Sequence, residues 1–439
     1  LNDSQREAVE LALNTPEAAL IQGPPGTGKT TVIAHLVRRL VDRGARVLVS
    51  AFTNTAVDTM LVKMLEVGVD DFVRVGRSTR SPRLSQRIEG RGGDPADYFS
   101  SDLASSAKSL DTLADTLLAR SVVASTTHRC VSSSLMAFLE RERGERPFDV
   151  AIVDEAAQIT EPMTLAAINL ADRFALVGDH RQLPPIVENE RAHSHFVTGF
   201  EGADAAGETP PELDEMACAG LDRSLFERLA RHLPRVVLEE QYRMHADIMA
   251  FSNRTFYDGR LRAHASVRER TLSEVDAPTD VGEPLSTILA PAFPLVFVDV
   301  DHDGHARHNE REAQAVVDSI EALLEYHSGE PSVGVVSPFR AQVHLIRKLL
   351  RQSLPGVADD IDVDTVERFQ GSERDAILVS LVKTERAGDF LADERRLNVT
   401  LTRAKKKLVV FGSRACLELN PMYRSLIEQP ETHLVSWSS

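Results

Sequence analysis

The sequence has few cysteines and no long apolar run. Its three cysteines, Cys130, Cys218 and Cys416, lie far apart and form no C-x-x-C pair. This spacing argues against a zinc finger, a four-cysteine iron–sulfur cluster and a disulfide framework, and it fits a reducing cytoplasm. No apolar stretch approaches the ~18 residues of a membrane span, and the first residues do not resemble a signal peptide. We therefore expect a cytoplasmic protein, associated with the nucleoid if the source is prokaryotic, with no membrane partner.

Lysine is scarce as well. The sequence has eight lysines against 42 arginines, and its acidic excess gives a net charge of −16. The negative net charge of the chain disfavours binding to nucleic acid. Each local basic cluster therefore has to be assessed separately as a possible nucleic-acid contact. The acidic excess and the arginine bias fit either a high-salt cytosol or a GC-rich genome, and both explanations stay open.

The length and composition are those of a multidomain globular protein. The chain has 439 residues, of which 42% are hydrophobic and 26% charged, and ~100–200 residues per domain predicts two to four domains. It begins at Leu1 without an initiator methionine, which we interpret as a piece of a longer protein.

Short apolar runs alternate with helical stretches along the chain, which predicts parallel βαβ units in two open sheets. The predicted strands are 18–21, 46–51, 121–125, 150–153, 174–177, 295–300, 333–336, 377–381 and 408–411. Segments 77–118, 188–222 and 264–292 interrupt this pattern and are predicted to be surface insertions, the first of them turning helical near 104–118.

The strongest chemical signal is the loop between the first strand and a helix predicted near 30–41. It reads Gly23-Pro24-Pro25-Gly26-Thr27-Gly28-Lys29-Thr30, which matches G-x-x-x-x-G-K-[ST] in its required strand–helix context. Glycines let backbone N–H groups surround phosphate oxygens, and the helix N-terminus adds favourable potential. Lys29 is predicted to reach the β- and γ-phosphates of ATP, and Thr30 to ligate Mg²⁺.

Two further signals follow predicted strands. Asp154 and Glu155 end the apolar run 150–153, and we expect Asp154 to hold Mg²⁺ and Glu155 to polarise the attacking water. The run Gly178-Asp179-His180-Arg181-Gln182 follows another strand, where Gln182 would sense the γ-phosphate. In isolation, an acidic pair of this kind also fits a plain helix start, and the Gln182 segment fits a proline-terminated turn.

Taken in order, these motifs resemble those of the superfamily 1B helicases. The resemblance covers nearly the whole chain, and it is greatest to the group of the nonsense-mediated-decay RNA helicase, the immunoglobulin-mu-binding helicase and the Okazaki-maturation nuclease-helicase. It implies two tandem RecA-like domains, 1–234 and 235–439, with insertions at 77–118 and 188–222. It also implies ATP-driven 5′-to-3′ movement and unwinding on single-stranded nucleic acid, with DNA slightly favoured over RNA and no small-molecule substrate beyond ATP.

The resemblance assigns nucleotide roles at matching positions. Gln5 would read the adenine edge, Tyr242 would stack on adenine, and Arg243 and Arg403 would act as arginine fingers that complete the site when the two domains close. Glu373 would meet the ribose, and Gln370 and Gly371 would lie between the nucleotide and the strand. The remaining nucleotide contacts would come from the phosphate loop and the threonine after it: Gly23, Pro24, Pro25, Gly26, Thr27, Gly28, Lys29, Thr30 and Thr31.

The same resemblance assigns contacts to the nucleic-acid strand, and those in the segment 51–58 are made through small polar residues. The assigned residues are Thr53, Asn54, Ser125, Thr126, Pro338, Thr365 and Gln370.

Two clusters have alternative interpretations. Lys405, Lys406 and Lys407 fit either a solvated edge or contacts to the phosphate backbone, and we mildly favour contacts. The His- and Asp-rich run 301–308 fits a polar loop better than a metal site, because its spacing matches no recognised site.

The sequence departs from the family in lacking a recognisable small β-barrel, for which only the 77–118 insertion is a candidate substitute. An ATP-gated module that remodels a protein partner therefore remains a rival function, and the net charge mildly favours it. A nucleotide-binding scaffold without turnover is disfavoured, because the catalytic residue types are all present.

Overall fold

The computed structural model describes residues 1–76, 80–144, 146–186, 223–272, 281–300, 307–327, 331–369, 371–383, 391 and 393–437. The predicted insertion at 188–222 lies outside them. The chain divides into two compact units, of which the first comprises Leu1–Pro24, Gly28–His180 and Pro184–Leu238. The second comprises Pro25–Thr27, Arg181–Leu183 and Glu239–Ser439.

The first unit is built on a seven-stranded parallel sheet in the order β3-β4-β2-β5-β6-β1-β7. The carboxyl ends of all its strands therefore meet at one edge. The strands are β1 (Ala18–Gln22), β2 (Val47–Ala51), β3 (Phe72–Arg74), β4 (Val122–Thr126), β5 (Phe148–Asp154), β6 (Ala171–Gly178) and β7 (Arg235–Val237).

Helices cover both faces of this sheet, because alternate strand residues face opposite sides. Ile21 packs into a core with α1 to α4, whereas its neighbour Leu20 packs into a core with α6 to α10. The helices are α1 (Asp3–Asn14), α2 (Lys29–Val41), α3 (Asn54–Glu66), α4 (Pro82–Glu89), α5 (Ser100–Ser106), α6 (Leu110–Ala119), α7 (Thr127–Ser132), α8 (Ser134–Arg143), α9 (Glu161–Ile168) and α10 (Leu225–Leu229).

A two-stranded parallel ribbon opens the second unit. It consists of β8 (Glu240–Gln241) and β9 (Arg262–Ala263), with Gln241 paired to Ala263. Parallel strands cannot be joined by a tight turn, and here helix α11 (Ala246–Phe256) lies in the connection.

The rest of the second unit is a six-stranded parallel sheet in the order β12-β11-β13-β14-β10-β15. Its strands are β10 (Leu295–Val300), β11 (Val333–Val336), β12 (Asp362–Asp364), β13 (Arg374–Ser380), β14 (Ala404–Gly412) and β15 (His433–Trp437). The further helices are α12 (Ala265–Arg268), α13 (Leu285–Leu289), α14 (Glu310–Tyr326), α15 (Arg340–Ser353), α16 (Glu394–Leu401), α17 (Arg414–Leu417) and α18 (Pro421–Glu428).

The predicted α/β class is confirmed: each unit is a parallel sheet flanked by helices. The division of the chain falls after Leu238, four residues beyond the expected boundary at 234. The reason is that β7 pairs with β1 and so belongs to the first sheet. Among the residues described, no helix has the length and apolar character needed to span a bilayer.

Candidate active site and nucleic-acid interface

The phosphate loop leaves β1 at the carboxyl edge of the first sheet and leads into α2. Gly26 and Gly28 have φ angles of 74° and 81°, a left-handed conformation that favours glycine. Gly23 is required for a different reason, because a Cβ there would lie 2.2 Å from Cγ of Lys29. Lys29 folds back over the loop, and its Nζ donates a hydrogen bond to the Gly23 carbonyl at 3.0 Å.

The acidic pair lies beside this lysine. Oε1 of Glu155 is 3.8 Å from Nζ of Lys29, and Oε2 accepts a hydrogen bond from Nε2 of Gln158 at 3.0 Å. Glu155 has a φ of 53°, an uncommon value for a residue with a side chain, and such backbone strain concentrates at functional sites. The structure thus brings together Lys29 and Glu155, two residues that the sequence predicts to be catalytic.

Asp154 has properties that suit a magnesium ligand. It is buried at the end of β5, and burial raises the pKa of its carboxyl group, as does the negative charge of Glu155, while Lys29 acts in the opposite direction. A bound divalent cation would stabilise the ionised form. The oxygens of Asp154 and Thr30 are the hard ligands that Mg²⁺ prefers, and Mg²⁺ commonly takes one or two carboxylates together with substrate phosphates. The described part of the chain holds no group of three or more His, Cys, Asp or Glu residues fit to bind a metal, so an all-protein cage is absent from it.

Gln5 reaches the phosphate loop from α1. Its side-chain Oε1 accepts from the Asn2 backbone at 3.1 Å, and Oδ1 of Asn2 accepts from the Gln5 backbone at 2.9 Å, a capping box that fixes the start of the helix. Nε2 of Gln5 lies 2.8 Å from the position that a Cβ would take on Gly28. Its role in reading adenine stays a prediction.

The turn after β6 carries Asp179 and Gln182, and both side chains are buried. Oδ1 of Asp179 accepts a hydrogen bond from Nε2 of Gln22 at 3.2 Å, which ties the end of β6 to the end of β1. The γ-phosphate-sensing role of Gln182 stays a prediction.

The strand contacts predicted for the first unit divide into two groups. Thr53 caps α3, with its Oγ1 accepting from the Ala56 backbone at 3.2 Å, and Asn54 begins that helix. Ser125 instead has no exposed surface, and Thr126 is 6% exposed. The side chain of Ser125 lies on the face of β4 that α7 covers, close to Cys130, and its strand contact stays a prediction.

Tyr242 lies directly after β8 and is partly exposed. Its hydroxyl donates to Oε2 of Glu240 at 2.6 Å, and its ring lies 4.6 Å from the ring of His264, with a tilt of 33°. The ribbon explains this contact, because Tyr242 and His264 each follow its last paired residues, Gln241 and Ala263.

The two predicted arginine fingers occupy different environments in the second unit. Arg243 donates to Oε2 of Glu373 at 2.6 Å and to the Thr402 carbonyl at 3.1 Å. Arg403 is 3% exposed, and its Nε donates to the Val399 carbonyl at 3.2 Å. Burial raises the pKa of Glu373, but the charges of Arg243 and Lys405 outweigh it, and the net effect lowers that pKa. Glu373, predicted to meet a ribose, thus also serves as the counter-ion of Arg243.

Two predicted strand contacts meet at the carboxyl edge of the second sheet. Pro338 follows β11 and Thr365 follows the adjacent β12, where the Ser337 backbone donates to the Asp364 carbonyl at 3.2 Å. Gly371 has a φ of 79°. Gln370 lies outside the described residues, as do residues 301–306 of the His- and Asp-rich run.

All three lysines of the run 405–407 have partners within the chain. Burial contradicts the favoured phosphate contact for Lys407, whereas the contact stays a prediction for Lys405 and Lys406. Lys405 pairs with Glu373 at 3.0 Å, and Lys406 pairs with Asp375 at 3.2 Å. Lys407 is 2% exposed, and its Nζ donates to the carbonyls of Ala290 and Phe293 at 2.9 Å and 2.6 Å. Its position in β14 directs it inward, and burial lowers its pKa from 10.5 to about 7.

This burial predicts a pH-dependent stability. Between pH 7 and 10.5 the unfolded chain keeps a proton on Lys407 that the folded chain has released. The free energy of unfolding, relative to that of a Lys407→Met variant, is therefore expected to rise with pH across this window, by at most about 1.4 kcal/mol for each unit between the two pKa values. Urea unfolding followed through Trp437, the sole tryptophan of the chain, measures this at pH 7, 8.5 and 10. Lys348→Met, which removes an exposed lysine on α15, is the control. If the free energy of unfolding of the parent rose with pH by the same amount relative to Lys348→Met, the prediction would be contradicted.

Several residues at these sites carried no assigned role in the sequence. Gln158 orients Glu155 through a hydrogen bond. Its position only three residues after Glu155 is the sequence signal that could have identified it. Arg74 binds the side chains of Asn54 and Asp58, and His264 stacks on Tyr242. Neither contact has a local motif, because Arg74 on β3 reaches side chains on α3, and His264 meets Tyr242 through the pairing of β8 with β9.

A phosphate loop whose lysine lies beside an acidic strand end, on a parallel sheet flanked by helices, defines the first unit as a P-loop NTPase domain of the RecA-like type.

Comparisons with known proteins refine this class. Two family models, each described as an AAA domain, match residues 1–91 with 96–190 and residues 221–415. The chain is 34% identical over 438 residues to the DNA replication ATP-dependent helicase/nuclease DNA2 of Xenopus laevis, covering 94% of this chain and 37% of that protein. It is 31% identical over 444 residues to JHS1, the Arabidopsis thaliana protein of the same description, covering 98% and 30%. It is 30% identical over 476 residues to the DNA-binding protein SMUBP-2 of Mus musculus, covering 99% and 44%.

The chain belongs to the superfamily 1B helicases, as the motif resemblance predicts. It spans between 30% and 44% of the length of these three relatives.

Proposed function

We propose that this chain is an ATP-driven motor that moves 5′-to-3′ on single-stranded nucleic acid and unwinds duplexes, with DNA as its substrate. The observation that carries the proposal is the placement of Lys29, 3.8 Å from Glu155, at the strand edge where Asp154 ends β5. Phosphoryl transfer to water needs a cation on the phosphates, a metal ligand and a carboxylate for the water, and these three residues supply them.

Each residue has a separate role in the proposed hydrolysis. Bound Mg²⁺ would neutralise charge on the β- and γ-phosphates, and Thr30 and Asp154 would hold it. Lys29 binds phosphate, and Glu155, oriented by Gln158, accepts the proton of the attacking water. Arg243 and Arg403 stabilise the charge that develops on the γ-phosphate.

The choice of DNA rests on the relatives. Two are described as acting in DNA replication and one as DNA-binding. Thr53, Asn54 and Thr365 are polar residues at the carboxyl edges of the two sheets, and they are suited to backbone contacts that carry no sequence preference. Because DNA is the proposed substrate, we propose that the chain works in the compartment that holds DNA.

The proposal predicts strand-stimulated ATP hydrolysis. Turnover should rise at least about tenfold with single-stranded DNA and less with single-stranded RNA, and the stimulation should weaken as salt is raised, because phosphate contacts release counterions. The measurement is steady-state ATP hydrolysis without a strand, with poly(dT) and with poly(U), across a salt series. Duplexes with a single 5′ or 3′ tail test polarity.

A partner-remodelling switch is the second candidate, because the net charge of −16 opposes binding to nucleic acid. Basal turnover that neither strand type stimulates would favour the switch and contradict the motor. Stronger stimulation by RNA than by DNA would contradict DNA as the substrate, but it would still support the motor function.

A further inference from the structure

The segment between β8 and α11, residues 242–245, belongs to no helix or strand and carries Arg243. A side chain holds the N–H groups of this segment in place of a helix or strand partner. Gln241 has no exposed surface, and its Oε1 accepts from the backbone N–H groups of Arg243 and Met244 at 2.7 Å and 2.8 Å. Its Nε2 donates to the Met244 carbonyl at 2.8 Å, so all the polar atoms of this amide are used to shape the segment.

The carbonyl of Arg243 is held by a second side chain from further along the chain. Nη2 of Arg270 donates to it at 2.7 Å, across 27 positions of sequence. This carbonyl and the Met244 N–H belong to the same peptide group, which is therefore held at both ends. Because a peptide group is planar, these two bonds set its plane and with it the backbone angle on the Arg243 side.

The position of Arg270 depends on the ribbon and on the short helix after it. The Arg270 backbone N–H donates to the Val267 carbonyl at 3.2 Å, at the end of α12. Arg270 is half-buried, and its Nε is a buried donor that has no acceptor among the described residues. An unpaired buried donor costs free energy. Such local costs are expected at functional sites, and here the cost accompanies the bond to Arg243.

The guanidinium of Arg243 is oriented as well, because Nε donates to Glu373 and Nη1 to the Thr402 carbonyl. A guanidinium is a rigid planar fork, so its donors point where the backbone and these two bonds direct them. A rotation of the peptide between Arg243 and Met244 would move all of these donors together.

We propose that Arg270 is a positioning residue for Arg243: its bond to the Arg243 carbonyl fixes the peptide that aims the guanidinium at the γ-phosphate of ATP. The inference rests on the proposed function, since it needs Arg243 to act as an arginine finger. Arg270 itself touches neither ATP nor the attacking water.

The test is steady-state ATP hydrolysis in the presence of poly(dT). Arg270→Met keeps an aliphatic stem for packing but removes the donor. It should lower kcat by about 10- to 100-fold, the cost of a misplaced catalytic group. The KM for ATP should stay within about twofold of the parent, because the lost alignment matters in the transition state rather than for binding.

Two further variants show whether Arg270 acts through Arg243. The double variant Arg243→Ala/Arg270→Met should turn over within about twofold of Arg243→Ala alone, because the positioning residue has nothing left to position. Arg270→Lys should recover most of the lost kcat, because a carbonyl needs a single donor and not a fork.

Arg268→Ala is the matched control. It removes an exposed arginine from α12, two positions before Arg270, and should leave both kcat and KM unchanged. Melting temperatures of all variants report any loss of folding. If Arg270→Met fails to fold, Arg270→Lys with and without Arg243→Ala gives the comparison, and a folded Arg270→Lys with the kcat of the parent is expected.

The outcomes distinguish the positioning role from the proposed function. A parent without ATP turnover, or an Arg243→Ala variant as fast as the parent, overturns the finger and the positioning role together. If Arg243→Ala is slow while a folded Arg270→Met matches the parent, only the positioning role is overturned. It is also overturned if the two losses multiply in the double variant, if Arg270→Met changes only KM, or if Arg270→Lys folds but is as slow as Arg243→Ala.

Discussion

Glu155→Gln is expected to lower strand-stimulated ATP turnover by about 10²- to 10⁴-fold, the usual contribution of a positioned general base. Glutamine has nearly the same shape and keeps the hydrogen bond with Gln158 within reach, but it cannot take the proton of the attacking water. Lys29 and the phosphate loop are untouched, so nucleotide binding should persist. The variant is therefore expected to trap bound ATP.

The measurement pairs turnover with equilibrium binding of a fluorescent ATP analogue. Glu140→Gln, which makes the same change at an exposed position on α8, serves as the control and should behave like the parent. If Glu155→Gln hydrolysed ATP within about twofold of the parent, the assignment of the base would be refuted, since the expected loss is far larger.

Arg243→Ala is expected to reduce turnover by about 10³- to 10⁵-fold, the range measured for arginine fingers. Arginine offers a planar fork of donors that matches phosphate oxygens, whereas lysine offers a point charge, so Arg243→Lys should recover little of the loss. The substitution does not leave Glu373 without a cation, because Lys405 remains 3.0 Å from it. A loss of turnover would thus reflect the missing donor rather than an unpaired carboxylate.

Arg262→Ala provides the comparison on the same ribbon, where Arg262 is exposed and pairs with Glu239 at 2.7 Å. Its turnover should match that of the parent, because exposed ion pairs contribute little. Unchanged turnover in Arg243→Ala, with a lowered melting temperature, would show that Arg243 is a structural residue instead.

The strands that sequence patterns revealed are the interior ones. All nine predicted strands correspond to interior strands of the two sheets, whereas β3, β7, β12 and β15 are the four edge strands, and they went unpredicted. Interior parallel strands are buried on both faces and read as continuous apolar runs. Edge strands such as β15 alternate between partly buried and exposed residues and have no such run.

The same difference holds for the candidate site. Contacts between residues close in sequence were predictable, whereas contacts between residues far apart in sequence were not. The phosphate loop and the acidic pair were predictable because their geometry depends on neighbours in sequence. The burial of Ser125 and Lys407 was not, because it depends on the packing of α7 against β4 and on the carbonyls of Ala290 and Phe293. Arg74 and His264 contact partners that lie 16 to 22 positions away in the sequence, where no motif links them.

The parallel ribbon β8–β9 has a consequence for the contact between Tyr242 and His264. Tyr242 and His264 meet only because the chain between them returns β9 to the same end of the ribbon as β8, by way of α11. A shift of one residue in the pairing of β8 with β9 would separate the two rings even when both residues are retained. The contact therefore depends on the register of a two-residue ribbon as much as on the identity of either ring.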